Sequence, residues 1–401
     1  STKNSVKNVL DKTPIIGKGI GKAVKGTKQL LKYAIYHSNL FEDLGFKYLG
    51  PIDGHNLDEL TEALMVAKMM QRPCLVHIYT KKGKGYAPAE DNSGEYHGLP
   101  PKKDDDNNCK GECFTDAFGK ALLSFADKDN SIYAVTAAMK YGTGLQHFYK
   151  AFPERFFDVG IAEQHAVTFS AGLASQGKLP VFAVYSSFLQ RSYDQLIHDC
   201  AIEKRHVVLG IDRAGFVGED GETHHGLFDV AMLTTVPGVT VYSPSDTAEL
   251  SQCLEQALYK DKGVVAVRYP RGCELYRSGT KAYSDFRHVS NKSRKLIFTY
   301  GRISAYAYTI HGADILQAIK IFPIVDEIIN ICLAYDEIYA FEEGEREGGI
   351  AQKLCTALAL AGYKGRFTIT AVDGFVRHAD VATQLHNAML DADGMRKITG
   401  E

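Results

Sequence analysis

No stretch of the 401-residue sequence approaches the roughly 18 to 20 unbroken apolar residues that a membrane-spanning helix requires, and the N-terminus carries no apolar signal core. The sequence therefore reads as cytoplasmic. Charge of one sign is not in excess either: a formal net charge of -2 supplies no global attraction to nucleic acid or to an anionic membrane. Cysteine is sparse, at positions 74, 109, 113, 200, 253, 273, 332 and 355, too thinly spread for a disulfide scaffold. Most are expected as buried free thiols. Cys109 and Cys113 stand close together, but zinc needs about four ligands and no second pair follows, so no metal is expected there.

What is present is an ordinary globular composition, 45% hydrophobic, over a length that exceeds what one core organises. Residues 1–38 read as a mobile basic segment, with eight Lys against one Asp in the first 36 positions. Its run Gly17-Lys18-Gly19-Ile20-Gly21 is no phosphate loop, because no strand precedes it and the glycine spacing fits neither common fingerprint. From Leu40 onward short apolar runs alternate with helical patterns, with Leu57–Met70 read as a helix and Cys74–Tyr79 as a strand. Pro100 to Gly111 is charged, turn-rich and free of apolar residues, which marks a linker.

Beyond it, β-branched runs at 132–135, 181–185, 207–211, 239–242 and 264–267 alternate with helical patterns, which implies a parallel sheet covered on both faces. A second turn-rich stretch, Ser278 to Ser293, precedes another such set beginning at Lys295–Tyr300. The expectation is an α/β protein of three consecutive units with mainly parallel sheets, dividing at 1–99, 112–277 and 294–401.

Ligands in open parallel sheets settle beyond the carboxyl ends of the strands, so the polar residues following each apolar run carry the chemical information. After Phe156–Val159 comes Gly160-Ile161-Ala162-Glu163, which sets Glu163 at a helix start, where an acid is also an ordinary first-turn residue. After Val181–Tyr185 comes Ser186-Ser187-Phe188-Leu189-Gln190-Arg191, and after Val207–Ile211 comes Asp212-Arg213 with the loop Gly218 to Gly226. That loop holds Asp220, His224 and His225. After Val264–Val267 comes Arg268-Tyr269-Pro270-Arg271. Three strand ends thus supply Arg, whose rigid fork suits an anionic substrate. Read singly, the histidines could be loop caps and Arg213 could pair with Asp212 or Asp220.

The strings DVGIAEQHAV, YSSFLQRSYDQLIHD, DRAGFVGEDGETHHG and VRYPRG, in that order, resemble the pyrimidine-binding domain of the 1-deoxy-D-xylulose-5-phosphate synthases. Upstream, LFEDLGFKYLGPIDGHN and TKKGKGYAPAE are similar to the end of that family's diphosphate-binding domain, and Phe341-Glu342-Glu343 with Gly348-Gly349 resembles the transketolase C-terminal domain. The resemblance implies a thiamine-diphosphate enzyme that condenses pyruvate with glyceraldehyde 3-phosphate, assembled as a homodimer, with no nucleic-acid or membrane partner. It also implies roles. Glu163 meets N1′ of the aminopyrimidine, Phe188 stacks on that ring with Tyr185 and Ile161 nearby, and Arg213 and Arg271 grip the aldehyde's phosphate. Asp220 and His224 line the substrate funnel and handle protons, Arg191 is a further anion contact, and Tyr185 also faces substrate. His55, in Gly54-His55, corresponds to an active-site His from the diphosphate domain, although Asp53-Gly54 is also a turn signal.

The family's Gly-Asp-Gly followed by a later Asn, which holds Mg²⁺ and the diphosphate, is not found in these 401 residues. Diphosphate charge needs Mg²⁺ and oxygen ligands, so those ligands are expected in an N-terminal segment not included here. Either the sequence is a truncated or incomplete form of a longer synthase, or it is a short paralogue that borrows the missing half. The other readings are a different transketolase-like enzyme, including the E1 part of a 2-oxoacid dehydrogenase, and a catalytically silent binding subunit. Phe375-Val376-Arg377-His378-Ala379 departs from the family's string in the last domain, where dimer and domain packing is the expected role.

Overall fold

The computed structural model describes residues 40–97, 111–275, 279 and 282–401. The expected basic segment with its glycine run, most of the first linker, and Cys109 lie outside the described residues. The chain divides into two units, one up to Pro101 and one from Lys102 onward.

The first unit is a strand-helix-strand element. Strand β1 (Lys47–Asp53) and strand β2 (Cys74–Tyr79) pair in parallel, connected through the helix Leu57–Met69. Asn56 starts that helix because its side-chain oxygen accepts the Glu59 N–H at 3.3 Å, satisfying a donor that the first turn would otherwise leave open.

The second unit holds two sheets. The larger contains β3 (Ile132–Thr136), β4 (Phe156–Asp158), β5 (Leu179–Tyr185), β6 (Val207–Asp212), β7 (Thr240–Tyr242) and β8 (Val264–Arg268), these six parallel to one another. Every residue of β6 and β8 is buried, which is why these segments read as unbroken apolar runs without alternation. Gly210 sits in the middle of β6 because a Cβ there would lie 2.4 Å from the ring of Phe118, which packs down from the Phe114–Lys128 helix.

The smaller sheet is built from β9 (Phe286–Val289), β10 (Lys295–Tyr300), β11 (Asp314–Ala318), β13 (Glu337–Glu345) and β14 (Arg366–Val372), in the order β14-β13-β10-β11-β9. Two short strands fall where the sequence reading placed none. Within the turn-rich stretch, β9 pairs antiparallel to β11, and β12 (Lys320–Phe322) leaves the last sheet to pair antiparallel with β7 at the edge of the larger one. Both are too short to show a period, and pairing rather than propensity creates them.

Among the described cysteines, Cys200, Cys253 and Cys332 are buried free thiols, and burial pushes Cys200 and Cys332 up to about 12. Cys74 and Cys355 are free but only half-buried, Cys113 is half-buried, and Cys273 is disulfide-bonded, so the expectation of mostly buried free thiols is corrected on these counts.

Candidate active site

Strand β4 ends at Asp158, whose carboxylate accepts the N–H groups of Ala138 and Gly160 at 2.8 and 3.0 Å. Gly160 then takes a left-handed conformation, φ 73°, that a residue without Cβ adopts at no steric cost. This turn delivers Glu163 to the first position of the helix Glu163–Ser175, where its side chain is only 2% exposed. An ordinary first-turn acid lies in solvent; this one does not. Arg191 Nη1 donates to both of its oxygens, at 3.0 and 3.1 Å. Arg191, expected as an anion contact, is therefore the partner of the buried acid.

From Arg191 the site continues as a connected row. The guanidinium lies 5.3 Å from the centre of the Phe188 ring, and Phe188 stacks on Tyr185 with centroids 5.7 Å apart and planes 21° from parallel. His224 meets Phe188 edge-on at 5.2 Å. Arg213 covers the Tyr185 ring at 4.1 Å, an arrangement that sets a cation against the negative face of the π-system. Burial raises the Tyr185 hydroxyl above its ordinary value.

Arg213 is itself held tightly. It follows β6 in a left-handed conformation, φ 63°, and its own N–H and Nη1 reach Asp212 at 2.8 and 3.0 Å. Nη1 also donates to the Gly142 carbonyl at 2.5 Å. Asp212 is fully buried, and burial pushes its carboxyl up although Arg213 and the Thr115 hydroxyl oppose the shift. Arg213 and Arg271 converge on Asp220: Arg271 Nη1 stands 2.8 Å from one oxygen and Arg213 Nε 3.9 Å from the other. The pairing weighed for Arg213 thus occurs with both acids, but in a largely buried place.

Glu163, Arg191, Phe188, Tyr185, His224, Arg213, Asp220 and Arg271 accordingly form one contiguous cluster. Ile161 stands apart, its side chain 80% exposed in the turn before Glu163. His55 belongs to the first unit, where the Asp53 carboxylate accepts its N–H at 2.9 Å and its Nε2 accepts the Lys81 N–H at 2.7 Å. Two members were missed in the sequence. Gly142 touches Arg213 and Tyr185, and Thr115 binds Asp212 at 2.7 Å. The Gly142-Thr143-Gly144 run after β3 was the available signal for the first, since it too follows a strand end.

Sheets of this kind, with the larger one parallel through six strands, define the transketolase-type α/β fold. The split-gene transketolase described as an inactive β4 tetramer superposes with a TM-score of 0.62 at 24% identity, over 71% of this chain and 96% of that one. The transketolase of Campylobacter jejuni gives 0.60 at 14% identity, over 92% and 70%. The transketolase pyrimidine-binding domain family matches residues 113–274, and the 1-deoxy-D-xylulose-5-phosphate synthase family matches residues 1–80.

Relatives agree. The synthase of Clostridium kluyveri is 47% identical over 76% of this chain and 50% of its own length, and that of Caldanaerobacter subterraneus is 40% identical over 98% and 66%. The synthase of Natranaerobius thermophilus is 40% identical over 100% of this chain and 67% of its own. The chain belongs to the 1-deoxy-D-xylulose-5-phosphate synthase family, and it spans about half to two thirds of the length of these curated relatives.

The cluster fits one end of thiamine diphosphate. A buried carboxylate beside a stacked aromatic pair suits a flat, basic aminopyrimidine. Among the described residues no group of three His, Cys, Asp or Glu side chains could hold a metal ion.

Proposed function

We propose that the protein carries out the thiamine-diphosphate-dependent decarboxylative condensation of pyruvate with D-glyceraldehyde 3-phosphate to 1-deoxy-D-xylulose 5-phosphate, a precursor for isoprenoids, thiamine and pyridoxal. The observation that carries this reading is the burial of Glu163 within a row of aromatic rings that ends in two arginines. When bound, the cofactor supplies the carbon nucleophile and the electron sink. Mg²⁺ would accompany its diphosphate. A homodimer in the cytoplasm, with three domains at 1–99, 112–277 and 294–401, completes the proposal.

The residues divide the work by position. Glu163 holds or receives the proton at N1′ of the pyrimidine, in a place where water does not compete. Phe188 and Tyr185 stack against the ring and exclude water. Arg213 and Arg271 bind the aldehyde's phosphate, with Asp220 moving aside to let it in. Asp220 and His224 then hold or move a proton at the substrate oxygens, while Arg191 orients Glu163.

The test is product formation from pyruvate and glyceraldehyde 3-phosphate with thiamine diphosphate and Mg²⁺, in one arm with the protein alone and in another with the N-terminal part of a curated relative supplied. Glu163→Gln should lower the rate by about 10² to 10⁴. No product and no heat of cofactor binding in either arm would remove the enzyme reading. Ketose phosphates serving as donors where pyruvate fails would place the reaction with the transketolases.

A further inference from the structure

The loop between β6 and β7 that carries Asp220 and His224 is closed at its neck, where Gly215 and Gly226 exchange N–H to carbonyl hydrogen bonds of 2.7 and 2.8 Å. Inside the neck, three consecutive backbone N–H groups each donate to a buried side chain. Phe216 donates to Glu343 at 2.7 Å, Val217 to His225 Nδ1 at 3.2 Å, and Gly218 to the side-chain oxygen of Gln384 at 3.2 Å. Glu343 comes from β13 and Gln384 from the helix Val381–Asn387, both in the smaller-sheet part of the unit.

Gln384 is only 2% exposed and uses both ends of its amide. Its nitrogen donates to the Arg377 carbonyl at 3.1 Å, which ties the departing string at 375–379 to the loop. Exchanging the amide oxygen and nitrogen would face two donors at Gly218 and two acceptors at Arg377, so the bonds fix its orientation. The same nitrogen lies 3.3 Å from His225 Nε2. Gly218 takes a left-handed φ of 62° that disfavours a side chain, and a Cβ there would press on a Val381 methyl at 3.0 Å.

We propose that Gln384, with His225, is a positioning residue that fixes the Gly215–Gly226 loop from the C-terminal helix and so sets where Asp220 and His224 stand for reaction. The inference rests on the reading that those two residues meet substrate. Neither Gln384 nor His225 lies in the row from Glu163 to Arg271. Their effect passes through the loop backbone.

Hydrogen exchange of the 214–227 segment in the whole chain tests the clamp without turnover. Gln384→Met and His225→Leu should each speed exchange there by about tenfold, the factor expected for lost hydrogen bonds of ordinary net strength. Exchange in β10 should not change. His225→Gln, whose side-chain oxygen can accept the Val217 N–H, should restore most of the protection. In product assays, Gln384→Met should lower kcat while leaving the KM for pyruvate within about twofold. Unchanged loop exchange, or equal acceleration throughout the unit, overturns the proposal; should Gln384→Met not fold, His225→Leu decides in the same way. Wild-type protein without product but with a clamp-dependent loop removes the functional reading alone.

Discussion

Arg191 holds Glu163 by a single nitrogen, Nη1, set 3.0 and 3.1 Å from the two carboxylate oxygens, and the acid is buried while the base is 47% exposed. The asymmetry decides what a substitution does. Arg191→Met strands a buried carboxylate and should destabilise the protein by about 1–3 kcal/mol, less than a fully buried pair because water already reaches the guanidinium. Glu163→Gln keeps an oxygen that accepts from Arg191 and should cost less. Urea unfolding of both variants checks the order, and Arg191→Met matching wild type would show that the contact contributes nothing.

Asp220 stands between Arg271, at 2.8 Å, and Arg213, at 3.9 Å, in the place proposed above for the substrate's phosphate. Removing its charge should leave Arg271 and the Nε edge of Arg213 less neutralised and better able to take an anion. Asp220→Asn is expected to bind inorganic phosphate several-fold more tightly, roughly the 1 kcal/mol of a partly exposed ion pair, while turnover falls. Calorimetric titration with phosphate gives the first and product assays the second.

Gly142 packs so closely that a Cβ would lie 1.8 Å from the Tyr185 hydroxyl oxygen, while its carbonyl holds Arg213. Gly142→Ala must push Tyr185 out of its stack on Phe188. The expected cost is about 1–3 kcal/mol of stability, with a larger loss of cofactor affinity than a surface alanine would give. Thermal unfolding and cofactor titration of the variant measure the two effects.

His225 gives the protein a pH dependence whose sign is fixed by its setting. Burial holds the imidazole below its ordinary value of 6.5; Glu222 and Glu343 pull the other way, and His378 and His224 reinforce the shift. As pH falls below 6.5 the unfolded chain therefore takes up this proton before the folded chain does. Stability from this group is complete above that value and declines as pH drops through the folded value. Urea midpoints at about pH 7.5 and about pH 5 should differ more for wild type than for His225→Gln.

The parts of the molecule that were legible in the sequence are those fixed by burial over several consecutive residues. The runs at 207–211 and 264–267 could only be strands covered on both faces, and Glu163 was placed at a helix start because a strand and a glycine turn precede it. The partners of those residues were not legible. Nothing local ties Arg191 to Glu163, or Gln384 to Gly218, across 28 and 166 positions, because such contacts exist only once the sheets have formed. Strands of three and four residues such as β12 and β9 were hidden for the same reason.

The excursion of β12 to the side of β7 makes the second unit a stitched object. A protease cut near residue 280 should leave two pieces that stay together, since parting them tears a strand from a sheet and bares a raw edge on each side. Made separately, the two pieces should meet the cell as aggregation-prone halves that recover only when they find one another.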